Sequence, residues 1–281
     1  MRGYRSLPGF EEKMAHMPFN SPEDADEFFK QITQAGLHWG RPLWWYDCQQ
    51  PFEKLEITGA SCFVLSFKTE HIGVTAAHVV NKLFETRRHT PSLVCLIQLA
   101  HFNILNAIVD MNDNLDIATF RISEEQVRSS GIQAFDVSAQ WPPEIPIERQ
   151  MPIQLVGFPE CLREIDYAGG SVSCGAYQAL ALVEDYNERE IIVIYDPEQS
   201  RGSPRLLPLG LNMSGCSGGP AIMHHTRNFI HRWYPVGLIL GGPLGEGEGD
   251  SASYDTIRIR RIDCIDPNGH IRFPDTGWLP P

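Results

Sequence analysis

The chain is short of positive charge: 23 Lys and Arg stand against 35 Asp and Glu over 281 residues, a formal net charge of −12. Binding to a nucleic-acid backbone is driven by basic groups that displace counterions, so this balance argues against nucleic acid as a partner and favours solubility or basic partners. No apolar run approaches the length of a membrane span, the richest being short stretches such as 236–240. No membrane partner is expected. The opening Met1-Arg2-Gly3-Tyr4-Arg5-Ser6-Leu7-Pro8 leads into charged residues rather than the apolar core of a secretory signal, so a cytoplasmic protein is expected. Seven cysteines (48, 62, 95, 161, 174, 216 and 264) make an odd number without a C-x-x-C pair, which argues against a disulfide framework and a zinc ribbon. They read as mostly buried thiols. Short internal repeats are also missing, which excludes a solenoid or propeller.

What is present is an ordinary globular composition, 42% apolar and 21% charged, with 24 Gly and 21 Pro for many turns. A helical bundle is disfavoured. The stretch Asn212-Met213-Ser214-Gly215-Cys216-Ser217-Gly218-Gly219-Pro220 organises the rest. Glycines around Ser217 free the backbone for a tight turn whose N–H groups can converge on an oxyanion. A serine hydroxyl needs a base to take its proton, and Thr75-Ala76-Ala77-His78-Val79-Val80 supplies one. The base needs a buried carboxylate to orient it, and Leu115-Asp116-Ile117-Ala118 sets an acid in an apolar run.

The ordered motifs T-A-A-H, D-I-A and G-x-S-G-G-P resemble those of the chymotrypsin-like (trypsin-fold) serine peptidases, over roughly residues 55–265. The nearest resemblance is to bacterial intracellular trypsin-like peptidase domains, several of which serve as effectors in stress or anti-phage systems. It implies an all-β fold of two six-stranded antiparallel β-barrels with a cleft between them. In that cleft His78, Asp116 and Ser217 would be catalytic and the N–H groups of Gly215 and Ser217 would form the oxyanion hole. The chain would be a serine endopeptidase acting on a protein or peptide substrate through an acyl-enzyme, without metal or cofactor. The alternative is a catalytically silent module of the same fold that binds a partner.

Taken in order, Ser21-Pro22-Glu23-Asp24 reads as a helix start and residues 22–35 as one amphipathic helix closed by Gly36. The aromatics Trp39, Trp44, Trp45 and Tyr46 then pack this N-terminal helical extension, residues 1–54, onto the barrel, or form a partner site. The peptidase domain spans 55–281: a first barrel at about 55–123, a linker at 124–150, a second barrel at 151–265 and a tail at 266–281. Short β-branched and aromatic runs place strands at 61–66, 72–75, 93–99, 102–108 and 117–122. In the second half they fall at 152–157, 171–184, 190–195, 219–223, 233–240 and 254–262. A short helix is expected over 79–84, and the Pro-rich Gln140–Pro146 marks the linker.

Several alternatives stand beside this reading. Asp113, between two asparagines, is a rival acid that reads better as a solvated turn. Cys216 could be a thiol nucleophile, but the register of Gly215-Cys216-Ser217-Gly218-Gly219 puts it in the variable position. His224, His225 and His231 lack a ligand spacing and read as strand-end or surface residues rather than metal ligands. In the family's animal digestive members an Asp stands where Cys216 does and pairs with a freed N-terminal amine. Here the oxyanion turn must be ordered by packing of Cys216 or by an activating protein partner. The resemblance implies that Leu211, six residues before Ser217, would stand at the base of the substrate pocket and that Leu240, Gly241 and Gly242 would line its edge. An uncharged base implies a preference for apolar residues before the scissile bond, unless Glu246, Glu248 or Asp250 supplies a carboxylate.

Overall fold

Two patterns of burial build two halves. In the computed structural model, which describes residues 36–144, 146–194, 213–227, 230–242 and 256–272, the chain is mostly β with few helices. The expected helix 22–35 lies outside the described residues, whereas Gly36 itself is helical, as are residues 37–39. Among the described residues no helix is long and apolar enough to cross a membrane.

The first half contains β1 (Arg41–Asp47), β2 (Thr58–Phe67), β3 (Glu70–Thr75), β4 (Leu93–Ile97), β5 (Ala100–His101), β6 (Ile108–Asn112), β7 (Ile117–Arg121) and β8 (Phe135–Asp136). They form one eight-stranded sheet in the order β5-β4-β1-β2-β3-β7-β6, with β8 alongside β2. Of the two closed barrels expected, the structure shows one, in the second half; among the described residues the strand pairing of this sheet is open. Residues 102–107 do not form the strand expected at 102–108, which begins only at Ile108. Instead Phe102 and Ile104 turn into the core, 5% and 0% exposed, and the helical turn α2 (Ile104–Ala107) follows the 13-residue helix α1 (Ala77–His89) in chain order.

β1 lies inside the span 1–54 that the sequence sets apart as an extension. It pairs with β2 on one side and β4 on the other, and its Leu43 and Trp45 are 0% and 1% exposed. The sheet therefore begins before residue 55. The expected linker also holds structure: α3 (Glu124–Ser130) starts at a reciprocal capping box between Ser123 and Gln126 and ends at Gly131 in the left-handed region.

The second half follows the alternation of its sequence more closely. Its strands are β9 (Pro152–Gly157), β10 (Arg163–Asp166), β11 (Ser171–Cys174), β12 (Tyr177–Tyr186), β13 (Glu190–Ile194), β14 (Pro220–Arg227), β15 (Ile230–Gly241) and β16 (Thr256–Arg261). Along β12, Tyr177, Ala179, Ala181 and Val183 are buried while their neighbours are more open, which is the period of two that a barrel wall requires. Six strands close into an antiparallel barrel in the order β12-β13-β16-β15-β14-β9. The single strand expected at 171–184 divides at Gly175: β11 pairs with β10 in a hairpin and β12 enters the barrel. After β16 the chain returns to the first sheet, where Thr119 Oγ1 donates to Gly269 O at 2.6 Å and Ile271 N to Asp110 Oδ2 at 2.8 Å. Ile262, Ile265 and Ile271 join the first core.

Candidate active site

β3 ends at Thr75, Ala76 is extended, and α1 begins at Ala77, so His78 stands in the first turn of a helix that follows the end of an interior strand of the first sheet. Asp116 sits in the turn between β6 and β7 with a left-handed φ of 56°, a conformation that Asp tolerates better than most residues. The turn is closed by Leu115 N donating to Asn112 Oδ1 at 2.9 Å and Asp116 N to Asp113 O at 3.2 Å. Asp116 then spends both oxygens on one residue. Its Oδ2 lies 2.7 Å from His78 Nδ1 and its Oδ1 accepts the His78 backbone N–H at 2.8 Å. An ionised carboxylate only accepts, so the proton is on Nδ1 and Nε2 is left as the basic nitrogen. Burial alone would raise Asp116, but the ring and backbone N–H groups of His78, helped by the Arg260 charge, hold it below its ordinary range. Asp113 accepts from Asn81 Nδ2 at 2.8 Å and does not touch His78.

Ser217 and His78 line one pocket of about 230 Å³ between the sheet and the barrel. Ser217 Oγ donates to Leu240 O at 3.1 Å, not to His78. Around it the turn is pinned from several sides. Gly215 and Gly218 have φ of 95° and 86°, Cys216 N donates to Met213 O and Gly219 N to Cys216 O, both at 2.9 Å, and Gly218 N reaches Ile239 O at 2.8 Å. Among the described residues, the N–H groups of Gly215 and Ser217 have no partner. The Ser214 carbonyl explains the first: it accepts Glu160 N at 2.7 Å, and in a trans peptide the following Gly215 N–H must point the opposite way. Two free N–H groups beside a hydroxyl in a concave turn can receive an anion.

Leu240, Gly241 and Gly242 line the same pocket; Leu211 and the acidic loop 243–250 lie outside the described residues. Sequence reasoning missed Met213, Trp45 and Lys82, which also line it. Lys82 was within reach, because it follows His78 by four positions on a helix. Met213 is 3% exposed, and a Cβ placed on Gly242 would lie 2.5 Å from its sulfur and 3.2 Å from Ile257 Cγ1. Cys216 is wholly buried against Gly157, and burial pushes its thiol up, away from the nucleophilic thiolate. His224 packs on Trp233 with ring centroids 4.0 Å apart and has Gln154 Oε1 at 3.3 Å; the side chains of His225 and His231 lie outside the described residues.

No family model matches the sequence, and no curated protein does. Among solved structures the chain is similar to the crystal structure of the Rv3671c protease from M. tuberculosis in its active form, with a TM-score of 0.44 and 13% identity. The match covers 93% of this chain and 88% of that one. At that distance no residue's role is carried across.

Proposed function

We propose that this protein is a chymotrypsin-like serine hydrolase that cleaves peptide bonds. The observation that carries the reading is the 2.7 Å contact of His78 with the half-buried Asp116 carboxylate, beside a pocket that His78 lines together with Ser217 and Gly215, whose N–H groups have no partner among the described residues. In the reaction Ser217 Oγ attacks the peptide carbonyl as His78 Nε2 takes its proton. The oxyanion rests on Gly215 and Ser217 N–H, and the proton returns to the leaving amine. Water then repeats the sequence on the acyl-enzyme. Asp116 fixes the ring and stabilises the imidazolium. Met213 and Ile257 beneath Gly242 favour a medium apolar residue before the scissile bond.

One observation favours the silent binding module: the Ser217 hydroxyl is turned to Leu240 O. A rotation about one side-chain bond redirects it, and such hydrogen bonds are often unmade before substrate binds. A fluorophosphonate probe separates the readings. Labelling of wild type at Ser217, lost in Ser217→Ala and His78→Ala, supports the hydrolase, and a folded wild-type protein that stays unlabelled supports the binding module. Cleavage of a mixed peptide library then distinguishes a peptidase from an esterase.

A further inference from the structure

A fully buried serine stands in β2 among Ala60, Cys62, Phe63, Val64 and Leu65. A hydroxyl in such a run must find partners, and those of Ser61 belong to the other half of the molecule. Its Oγ accepts the Phe158 N–H at 2.9 Å and donates to the Gly215 carbonyl at 2.8 Å. Its backbone N–H donates to the Ser217 carbonyl at 2.9 Å, and its own carbonyl accepts Thr75 Oγ1 at 2.8 Å. One residue thus touches the strand that leads to His78, the segment after β9, and the carbonyls of Gly215 and Ser217.

These bonds act on the peptides that matter to the turn. Rotating the 214–215 peptide would break the bond from Glu160 N to Ser214 O, and rotating the 215–216 peptide would break the bond from Ser61 Oγ to Gly215 O. Cys216, wholly buried and uncharged, supplies no ion pair to do this work. We propose that Ser61 is a positioning residue that locks the Gly215–Ser217 turn in its anion-receiving form, so that docking of the first sheet on the barrel makes the site competent. The proposal rests on the hydrolase reading for its catalytic consequence. Its structural consequence, a turn held by Ser61, is independent of it.

The test uses the full chain with Ser61→Ala and Ser61→Cys. Ser61→Cys keeps a similar volume with a weaker donor and acceptor, and it is the variant to read if Ser61→Ala does not melt cooperatively. In the folded variants, kcat should fall by about 10- to 100-fold for Ala, below the loss for deleting an oxyanion donor outright. KM should stay within about two-fold, and Cys should fall between Ala and wild type. Affinity for a peptide boronate, whose adduct oxygen occupies the hole, should drop by a similar factor. Amide hydrogen exchange should rise over residues 213–219 more than elsewhere. A lower melting temperature with kcat, boronate affinity and local exchange unchanged would make Ser61 merely structural and overturn the proposal. Should wild type react with neither probe nor peptide, the hydrolase reading fails, and the exchange measurement alone then supports or rejects the tether.

Discussion

Gly218→Ala is the substitution whose consequence can be worked out most fully. At φ 86° an L side chain is strained, by about 1–2 kcal/mol. A Cβ there would lie 2.3 Å from both Ser61 O and Thr75 Oγ1, and 3.1 Å from Ala76 N. None of these can swing aside: Ser61 and Thr75 are fully buried and bonded to each other at 2.8 Å, and Ala76, itself fully buried, caps the helix whose first turn carries His78. Relief requires the turn to move by roughly 1 Å, and crowding of this kind costs about 1–3 kcal/mol. The combined loss, on the order of 3 kcal/mol, should lower the melting temperature by about 6–10 °C. The same displacement separates Ser217 from His78, and a shift of that size takes about 10² off a rate. Gly131→Ala is the matched control, since its φ is 65° but nothing lies within 4 Å of its added Cβ. It should lose about 1 kcal/mol and keep wild-type labelling by a fluorophosphonate. Equal losses of stability in the two variants, with equal labelling rates, would refute the reasoning.

The other predictions concern the acid and the pocket. Asp116→Asn should lower kcat by about 10³–10⁴ by favouring the wrong tautomer of His78, whereas Asp113→Asn, which touches Asn81, should stay within a few-fold of wild type; a larger loss from Asp113→Asn would reverse the assignment. Burial pulls Asp116 up and the bonds from His78 pull it further down, so its contribution to stability is full above the unfolded value of about 3.9 and is lost as pH falls through the lower folded value. The melting-temperature gap between wild type and Asp116→Asn should therefore narrow below about pH 4, and a gap unchanged at more acid pH would contradict this. Met213→Ala removes the side chain lodged beneath Gly242 and should shift library cleavage toward larger residues before the scissile bond, at about 2–3 kcal/mol of stability. An unchanged profile would place the specificity elsewhere.

Legibility differed between the halves for a physical reason. In the barrel β12, β13 and β16 bury mainly one face, so period-two alternation is legible there, while β9 and the middle of β15 are buried on both faces and read as short apolar runs bounded by turn residues. In the first sheet β1 carries Leu43, Trp44 and Trp45 in succession, buried on both sides of the strand, and reads as an aromatic cluster rather than as alternation. The capping box Ser123-Glu124-Glu125-Gln126 was a visible signal for α3, overlooked because a proline cluster follows it. Closure left no mark at all. Whether residues 102–107 run as a strand or turn inward depends on where Phe102 and Ile104 find space, a property of the assembled core.

By itself the sequence determined the chemistry on offer and its order along the chain: a base after a strand, an acid before another, and a hydroxyl in a glycine turn. These are local patterns, set by residue type and neighbouring spacing. The tertiary structure decided what that chemistry can reach. It brought Asp116 rather than Asp113 to His78, left the N–H groups of Gly215 and Ser217 without a partner among the described residues, set Met213 against Gly242, and tied the turn to Ser61 across 154 positions. Hydrogen bonds form between whatever groups the packed core leaves opposite one another, so partners this far apart in the chain become readable only once the two halves are docked.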